Sequence, residues 1–260
     1  MQRRRRASSP DQAREYRQRG HDDALEFAVA IGLSSDYQNN PIAKKDVIDP
    51  WGDAHTVKSG EKKWQIFLYG LGRFWRDDTF GAMNGIGDTL AACIHSFPPD
   101  FQAYQRDKQS AKERLRKPMR KLAELLQDKR LLRQFISASL FNAGEVNYLT
   151  AKHEGVFHVF LNQDVVRVLS ENLEVCNSKA RTAGQMPEQK VLFRWGGVNL
   201  GELEMRNDSV VHYREMRFNM IKPKIMGLLF SAIPLTSQYN DRVRVYGNAS
   251  RQFGRCRRTA

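Results

Sequence analysis

The chain lacks paired cysteines. Its three, Cys93, Cys176 and Cys256, are scattered and form no CxxC. That spacing argues against a disulfide framework and against a cysteine-based zinc site, and it suits a reducing cytoplasm. No run of 18 apolar residues occurs, so no transmembrane helix is expected. The opening "MQRRRRASSPDQAREYRQRG" is basic with no apolar run behind it, unlike a secretory signal. The glycines of "GAMNGIGDT" (81–89) are followed by no lysine in the P-loop position, which argues against a nucleoside-triphosphate site. Repeats and long low-complexity segments are also missing.

Charge is plentiful. The 260 residues carry a formal net charge of +13, and it is localised. Residues 1–20 and 241–260 are each net +5, and residues 101–140 are net +7, which leaves the rest of the chain acidic. Concentrated basic charge of this kind fits a nucleic-acid footprint. Basic tails and a solvated basic helix are the plainer explanation.

Periodicity outlines the elements. Ala24, Phe27, Ala28 and Ile31 recur at helical spacing within residues 10–33. Residues 42–49 and 54–59 read as two strands around the turn "DPWGD". "KWQIFLYGLGRFW" suits a strand or the start of a helix, and residues 80–95 a glycine-rich lead into a buried helix. Residues 109–140 read as two helices, with Pro118 in the first turn of the second. Hairpins are expected at 146–162 around Glu154-Gly155 and at 190–208 around Gly196-Gly197. A short helix is expected between them, and a further strand at 210–222. Strands and helices mix without strict βαβ alternation, which predicts an α/β or α+β fold with a mixed sheet flanked by helices. The expected organisation is a basic arm (1–9), one domain (10–245) and a basic tail (246–260). The domain divides into a helix-rich part (10–145) and a β-rich part (146–245).

The stretch "KKDVIDPWGDAHTVKSGEKKWQIFLYG" (44–70) gathers Asp46, Asp49, Asp53, Lys58, Lys62 and Lys63 about one tight turn. Phosphodiester hydrolysis needs carboxylates to hold a divalent metal, an activated water and stabilisation of developing negative charge. Mg²⁺ uses one or two protein carboxylates and keeps its other positions for water and phosphate. Thr56 and Lys58 share a strand face. Asp46 on the partner strand falls close to level with Val57 and Lys58, so Asp46 and Lys58 can meet across the ladder. For any one of these residues taken alone, a solvated strand end is the better explanation.

This stretch resembles the core of the PD-(D/E)XK nuclease superfamily, and type II restriction endonucleases in particular. Asp46 matches the motif's Asp, and Thr56-Val57-Lys58 its acid-x-Lys tripeptide. Gln65 and Tyr69 match a Q-x-x-x-Y spacing found in some branches, and Glu26 matches an acid contributed by the preceding helix. The resemblance implies a restriction-endonuclease-like core and a nuclease domain over 10–245. It implies Mg²⁺-dependent, sequence-specific cleavage of double-stranded DNA in a prokaryotic cytoplasm. Asp46 and Glu26 would hold the metal, and Asp46, Thr56, Lys58 and Gln65 would carry catalysis. Thr56 departs from the pattern, so another acid would have to complete the metal shell, with Glu26, Asp49 and Asp53 as candidates. A homodimer suits a palindromic target, and a cognate DNA methyltransferase is the implied genetic partner. The alternatives are another DNA nuclease of the superfamily, acting in repair or on phage DNA, and a non-catalytic basic nucleic-acid-binding protein.

Candidate DNA readers cluster late in the chain. Arg206, Asn207, Asp208, His212, Arg214 and Arg217 lie within twelve residues and are types that pair with base edges. Asn177, Ser178 and Lys179 are candidates for phosphate contacts. Cross-strand pairing of Glu202, Glu204 and Glu215 with Arg206, Arg214 and Arg217 is the structural alternative. Glu202 and Glu204 with His212 form a lower-ranked rival site.

Overall fold

A computed structural model describes residues 10–37, 46–76, 78–180, 182–207 and 209–255. The basic arm 1–9, the start of the first expected strand (42–45), Asp208 and the tail from Cys256 lie outside them. The chain opens with α1 (Pro10–Ala30), β1 (Val47–Ile48), β2 (Ala54–Lys58) and β3 (Lys63–Tyr69). Helices α2 (Leu71–Arg76), α3 (Asp78–Gly81), α4 (Ile86–His95), α5 (Phe101–Arg106), α6 (Lys108–Gln127) and α7 (Lys129–Phe141) follow. Then come β4 (Tyr148–His153), β5 (Val156–Leu161), α8 (Asn162–Asn172), β6 (Glu174–Asn177), β7 (Lys190–Trp195) and β8 (Val198–Met205). The last elements are β9 (Met216–Ile221), α9 (Lys222–Ala232), β10 (Leu235–Asn240) and β11 (Val243–Tyr246).

The fold is mixed α/β, with two sheets where one was expected. They belong to two compact units that are not sequential halves. The first unit comprises residues 1–61, 145–162 and 233–260, and the second comprises 62–144 and 163–232.

In the first unit the strand order is β1-β2-β4-β5-β11-β10. The pairs β1–β2, β4–β5 and β10–β11 are antiparallel, whereas β2–β4 and β11–β5 are parallel. A parallel pair needs a long crossover, and between β2 and β4 the chain makes it through the second unit. Helix α1 buries Ala24, Phe27, Ala28 and Ile31, the i, i+3, i+4, i+7 stripe of a helix that packs on one side. They meet Tyr148, Phe157, Val159, Leu161, Val243 and Val245, every second residue of their strands.

The second unit has an antiparallel sheet of order β3-β9-β8-β7-β6. One face buries Trp64, Phe67, Val175, Val191, Phe193, Leu203, Phe218 and Met220. Phe135 of α7 lies against Phe67, Phe193 and Phe218, with ring centroids 5.5–6.3 Å apart. The opposite face is polar.

Two element expectations are corrected. Pro118 does not divide the basic helices, because α6 runs through it. Leu115, Met119, Leu122, Ala123 and Leu126 are buried on both sides of Pro118, and that burial outweighs the lost N–H. The break comes at Asp128, whose carboxylate accepts from Arg130 N at 2.7 Å and Leu131 N at 3.2 Å and so starts α7. The strand expected over 210–222 covers only Met216–Ile221. Val210 and Val211 stand exposed in the preceding turn instead.

Candidate active site

The β1–β2 hairpin is built by its acids. Asp49 Oδ1 accepts from Trp51 N at 3.0 Å and Asp53 N at 2.8 Å, which folds the chain back through Gly52 at φ +89°. Asp49 Oδ2 faces His55 Nε2 at 3.3 Å, and His55 Nδ1 meets Thr150 Oγ1 at 2.8 Å. Asp53 Oδ2 accepts from Tyr148 OH at 3.2 Å. Asp49, Asp53 and His55 are buried. Burial lowers the His55 pKa although Asp49 and Asp53 oppose it, so the ring is neutral at pH 7. These two acids shape the turn and are committed to it.

Asp46 directly precedes β1. The pairs Val47–His55 and Ile48–Ala54 place it level with Thr56, one residue short of the expected register. Its backbone N donates to His55 O at 2.9 Å. Asp46 Oδ2 accepts from Val57 N at 2.7 Å. Thr56 Oγ1 donates to the same oxygen at 3.2 Å, and Lys58 Nζ lies 3.9 Å from it. Asp46 Oδ1 accepts no hydrogen bond among the described residues, and the side chain keeps 38 % of its exposure. Asp46, Thr56 and Lys58 are therefore brought together, with Thr56 orienting the carboxylate.

Glu26 is held elsewhere. Lys152 Nζ on β4 lies 2.6 Å from Glu26 Oε2 and 2.7 Å from Asp23 Oδ1, and Arg242 takes Glu26 Oε1. Burial works against the Lys152 charge, but the two carboxylates raise its pKa above the ordinary value. Both Glu26 oxygens are thus spent on cations that join α1 to β4 and to the β10–β11 turn. Among the described residues no three His, Cys, Asp or Glu side chains are grouped to hold a metal ion. The donors do fit a simpler Mg²⁺ site: one carboxylate with a spare oxygen, Asp46, and the remaining positions left to water and phosphate.

Gln65 belongs to the second unit, on β3 opposite Asn219 beside a bulge. The other expected residues of that unit are placed as follows. Asn177 donates to Met119 O at 2.9 Å and ties β6 to α6. Ser178 Oγ accepts from Gln189 N and Lys190 N at 3.1 and 3.2 Å. Lys179 is exposed. Arg217 is bound by Glu204, its cross-strand neighbour. Glu202 is held by Lys63 at 2.7 Å and Lys190 at 3.0 Å. Burial opposes the Glu202 charge, yet the two lysines pull its pKa down to about 2. The rival site is not assembled, since His212 pairs with Glu215 at 2.9 Å and Lys190 bridges Glu202 and Glu204.

Arg206, Asn207, His212 and Arg214 sit on the 206–215 turn instead of on a strand. The turn is closed by Arg206 N donating to Glu215 O at 2.8 Å. Asn207 hydrogen-bonds Tyr104. Arg214 has φ +64°, and its Nε is buried without a hydrogen-bond partner among the described residues.

The sequence reading passed over Lys152, Asp23, His55 and Asn147, whose Oδ1 accepts from Ala54 N at 2.8 Å. One signal was present. Period-2 alternation puts Lys152 on the face of Tyr148 and Thr150, and a lysine on a buried face requires an acid partner.

No family model matches the chain, and neither a curated protein nor a solved structure matches it.

Proposed function

We propose that the chain is a Mg²⁺-dependent endonuclease acting on double-stranded DNA, sequence-specific in the manner of type II restriction enzymes, with Asp46 and Lys58 at its centre. The observation that supports this most is the convergence of Lys58 Nζ and a partly exposed Asp46 carboxylate, 3.9 Å apart, whose Oδ1 accepts no hydrogen bond among the described residues. Asp46 Oδ1 would hold the metal, which when bound neutralises charge on the scissile phosphate. Val57 N and Thr56 Oγ1 fix the other oxygen, so the carboxylate is oriented before substrate arrives. The Lys58 ammonium, drawn to one side by Asp46, would hold a non-bridging phosphate oxygen and orient the attacking water in line with the phosphorus. This reading carries a PD-(D/E)XK-type core in the first unit, a homodimer on a palindromic target and a partner methyltransferase gene. Glu26 is left out of the metal shell because two cations already hold it.

A second reading, a non-catalytic nucleic-acid-binding protein, is favoured by the same commitment of Glu26 and by Thr56 in place of an acid. Incubating supercoiled plasmid with the protein and Mg²⁺, then with EDTA, separates them. Discrete fragments that vanish with EDTA support the specific nuclease, and a smear supports a nonspecific one. A retarded but uncut plasmid supports the binding protein.

A further inference from the structure

Helix α6 of the second unit carries its cations in two different states. Its apolar stripe, Ala111, Leu115, Met119, Leu122, Ala123 and Leu126, is buried. On one flank Arg116 and Arg120 converge on Glu188, at 3.0 and 2.7 Å, and Arg116 also pairs with Glu113. Those charges are compensated. At 100° per residue, Arg114, Lys117 and Lys121 fall on the outer face beyond that flank. All three are exposed. They make no ion pair among the described residues; Arg114 donates through Nε to Ser96 O at 3.1 Å and feels the Asp107 carboxylate at longer range. Of the acids nearest them, Glu113 pairs with Arg116, and Glu124 is exposed on the same outer face one turn from Lys121, which leaves the stripe net positive by two. Asp107 and Asp128 cap helix starts.

We infer that the Arg114–Lys117–Lys121 stripe of α6 tracks the phosphate backbone of duplex DNA. Seven residues of helix span about 10 Å, and a duplex carries one phosphate per ~3.4 Å of its axis on each strand, so the stripe is long enough to face two or three phosphates. The i, i+3, i+7 spacing keeps the three cations in line. A fixed helix presents them at little cost in side-chain ordering, and Arg114 is already oriented by its bond to Ser96. A membrane surface fits less well. The exposed large apolar residues, Val29, Ile48, Trp195, Val198, Val210, Val211, Leu235 and Tyr239, include none from α6, and interfacial binding needs apolar side chains beside the basic ones. The inference rests on the DNA-binding part of the proposed function and is independent of its chemistry.

The test uses the full chain and a random-sequence duplex of about 30 base pairs, with affinity measured against NaCl by fluorescence anisotropy. The triple variant R114Q/K117Q/K121Q should lose affinity at low salt and make the log–log salt slope shallower by about 2 to 3. Melting temperature should fall by no more than a few degrees, because the one protein contact removed is the partly buried Arg114 Nε–Ser96 O hydrogen bond. The charge-preserving R114K/K117R/K121R should restore the slope. R116Q/R120Q should leave the slope unchanged, since Glu188 already takes those charges. A parental slope in the first variant, or a parent that binds no duplex, overturns the inference. D46A separates the two readings: cleavage persisting in D46A with an altered slope in the triple variant sinks the catalytic site and keeps the stripe.

Discussion

Lys58 Nζ lies 3.9 Å from Asp46 Oδ2, the oxygen that also accepts Val57 N at 2.7 Å. The lysine is thus attracted by a carboxylate whose position the backbone sets. D46A removes the acceptor for Val57 N, a half-buried group, so the fold should survive with a loss of roughly 1 kcal/mol. Cleavage of plasmid should fall by at least a thousandfold in D46A and in K58A, with duplex affinity within severalfold of the parent. K58R keeps the charge but changes its shape and should recover only part of the rate. Near-parental cleavage by D46A in a gel time course would remove this site.

Glu26 gives the opposite expectation. Because Lys152 and Arg242 hold it, E26Q should cleave at close to the parental rate with an unchanged Mg²⁺ requirement. Its pairs are partly exposed, at 34 % for the Glu26 side chain, so the melting temperature should move by only a few degrees. K152M is the sharper probe. It leaves Asp23, whose side chain is 13 % exposed, without its cation beside Phe157, and about 1–3 kcal/mol of stability should be lost. A Mg²⁺ titration in which E26Q demands far more metal would return Glu26 to the metal shell.

What could be read in advance follows from how local each feature is. The α1 stripe, the two glycine turns at 155 and 197 and the Asp46–Lys58 approach all rest on short spacings, and the sequence carried them. The division into two units did not show, because β2 and β4 pair across some ninety residues of intervening chain. The pairing of Lys152 with Asp23 and Glu26 spans a comparable gap. Strands β10 and β11 were missed because "LTSQYN" is almost wholly exposed and lacks clean alternation. Pro118 lies inside α6 because residues on both sides of it are buried, a long-range packing effect that the local sequence around a proline does not carry.

Arg217 and the 206–215 turn should part company under mutation. Arg217 is locked by Glu204 inside the sheet, so R217A should lower the melting temperature by several degrees and leave any cognate-to-random binding ratio unchanged. Arg214 holds a left-handed backbone that costs a non-glycine residue of order 1 kcal/mol. R214G should therefore keep or raise the melting temperature. If the turn reads bases, R214G and R206A should each reduce the ratio by about 1–3 kcal/mol, roughly fivefold to 150-fold. Competition anisotropy with cognate and random duplexes measures it. Parental ratios in both would move base reading off this turn.

Acid should weaken the protein in two separate steps. His55 is buried, and burial lowers its pKa below the ordinary 6.5. The unfolded chain then binds a proton there before the folded one does. By linkage this contribution is fully present above pH 6.5 and is lost as pH falls below it. Glu202 behaves as a paired carboxylate, with its pKa lowered from 4.5 to about 2. Its contribution is present above pH 4.5 and is lost between there and about pH 2. Melting temperature followed downward from pH 8 should therefore begin to fall near pH 6.5 and steepen below pH 4.5. H55Q keeps a neutral hydrogen-bonding group between Asp49 and Thr150, so it should start from a lower melting temperature and lose the upper step alone. E202Q should make the lower step shallower and leave the upper one, since Glu188 and Asp107, whose pKa values are also lowered, share that range. Because His55 underlies the hairpin that carries Asp46, a fall in activity matching the upper step in the parent, and missing from H55Q, would tie the buried network to the site. An upper step that survives in H55Q would place that titration on another group.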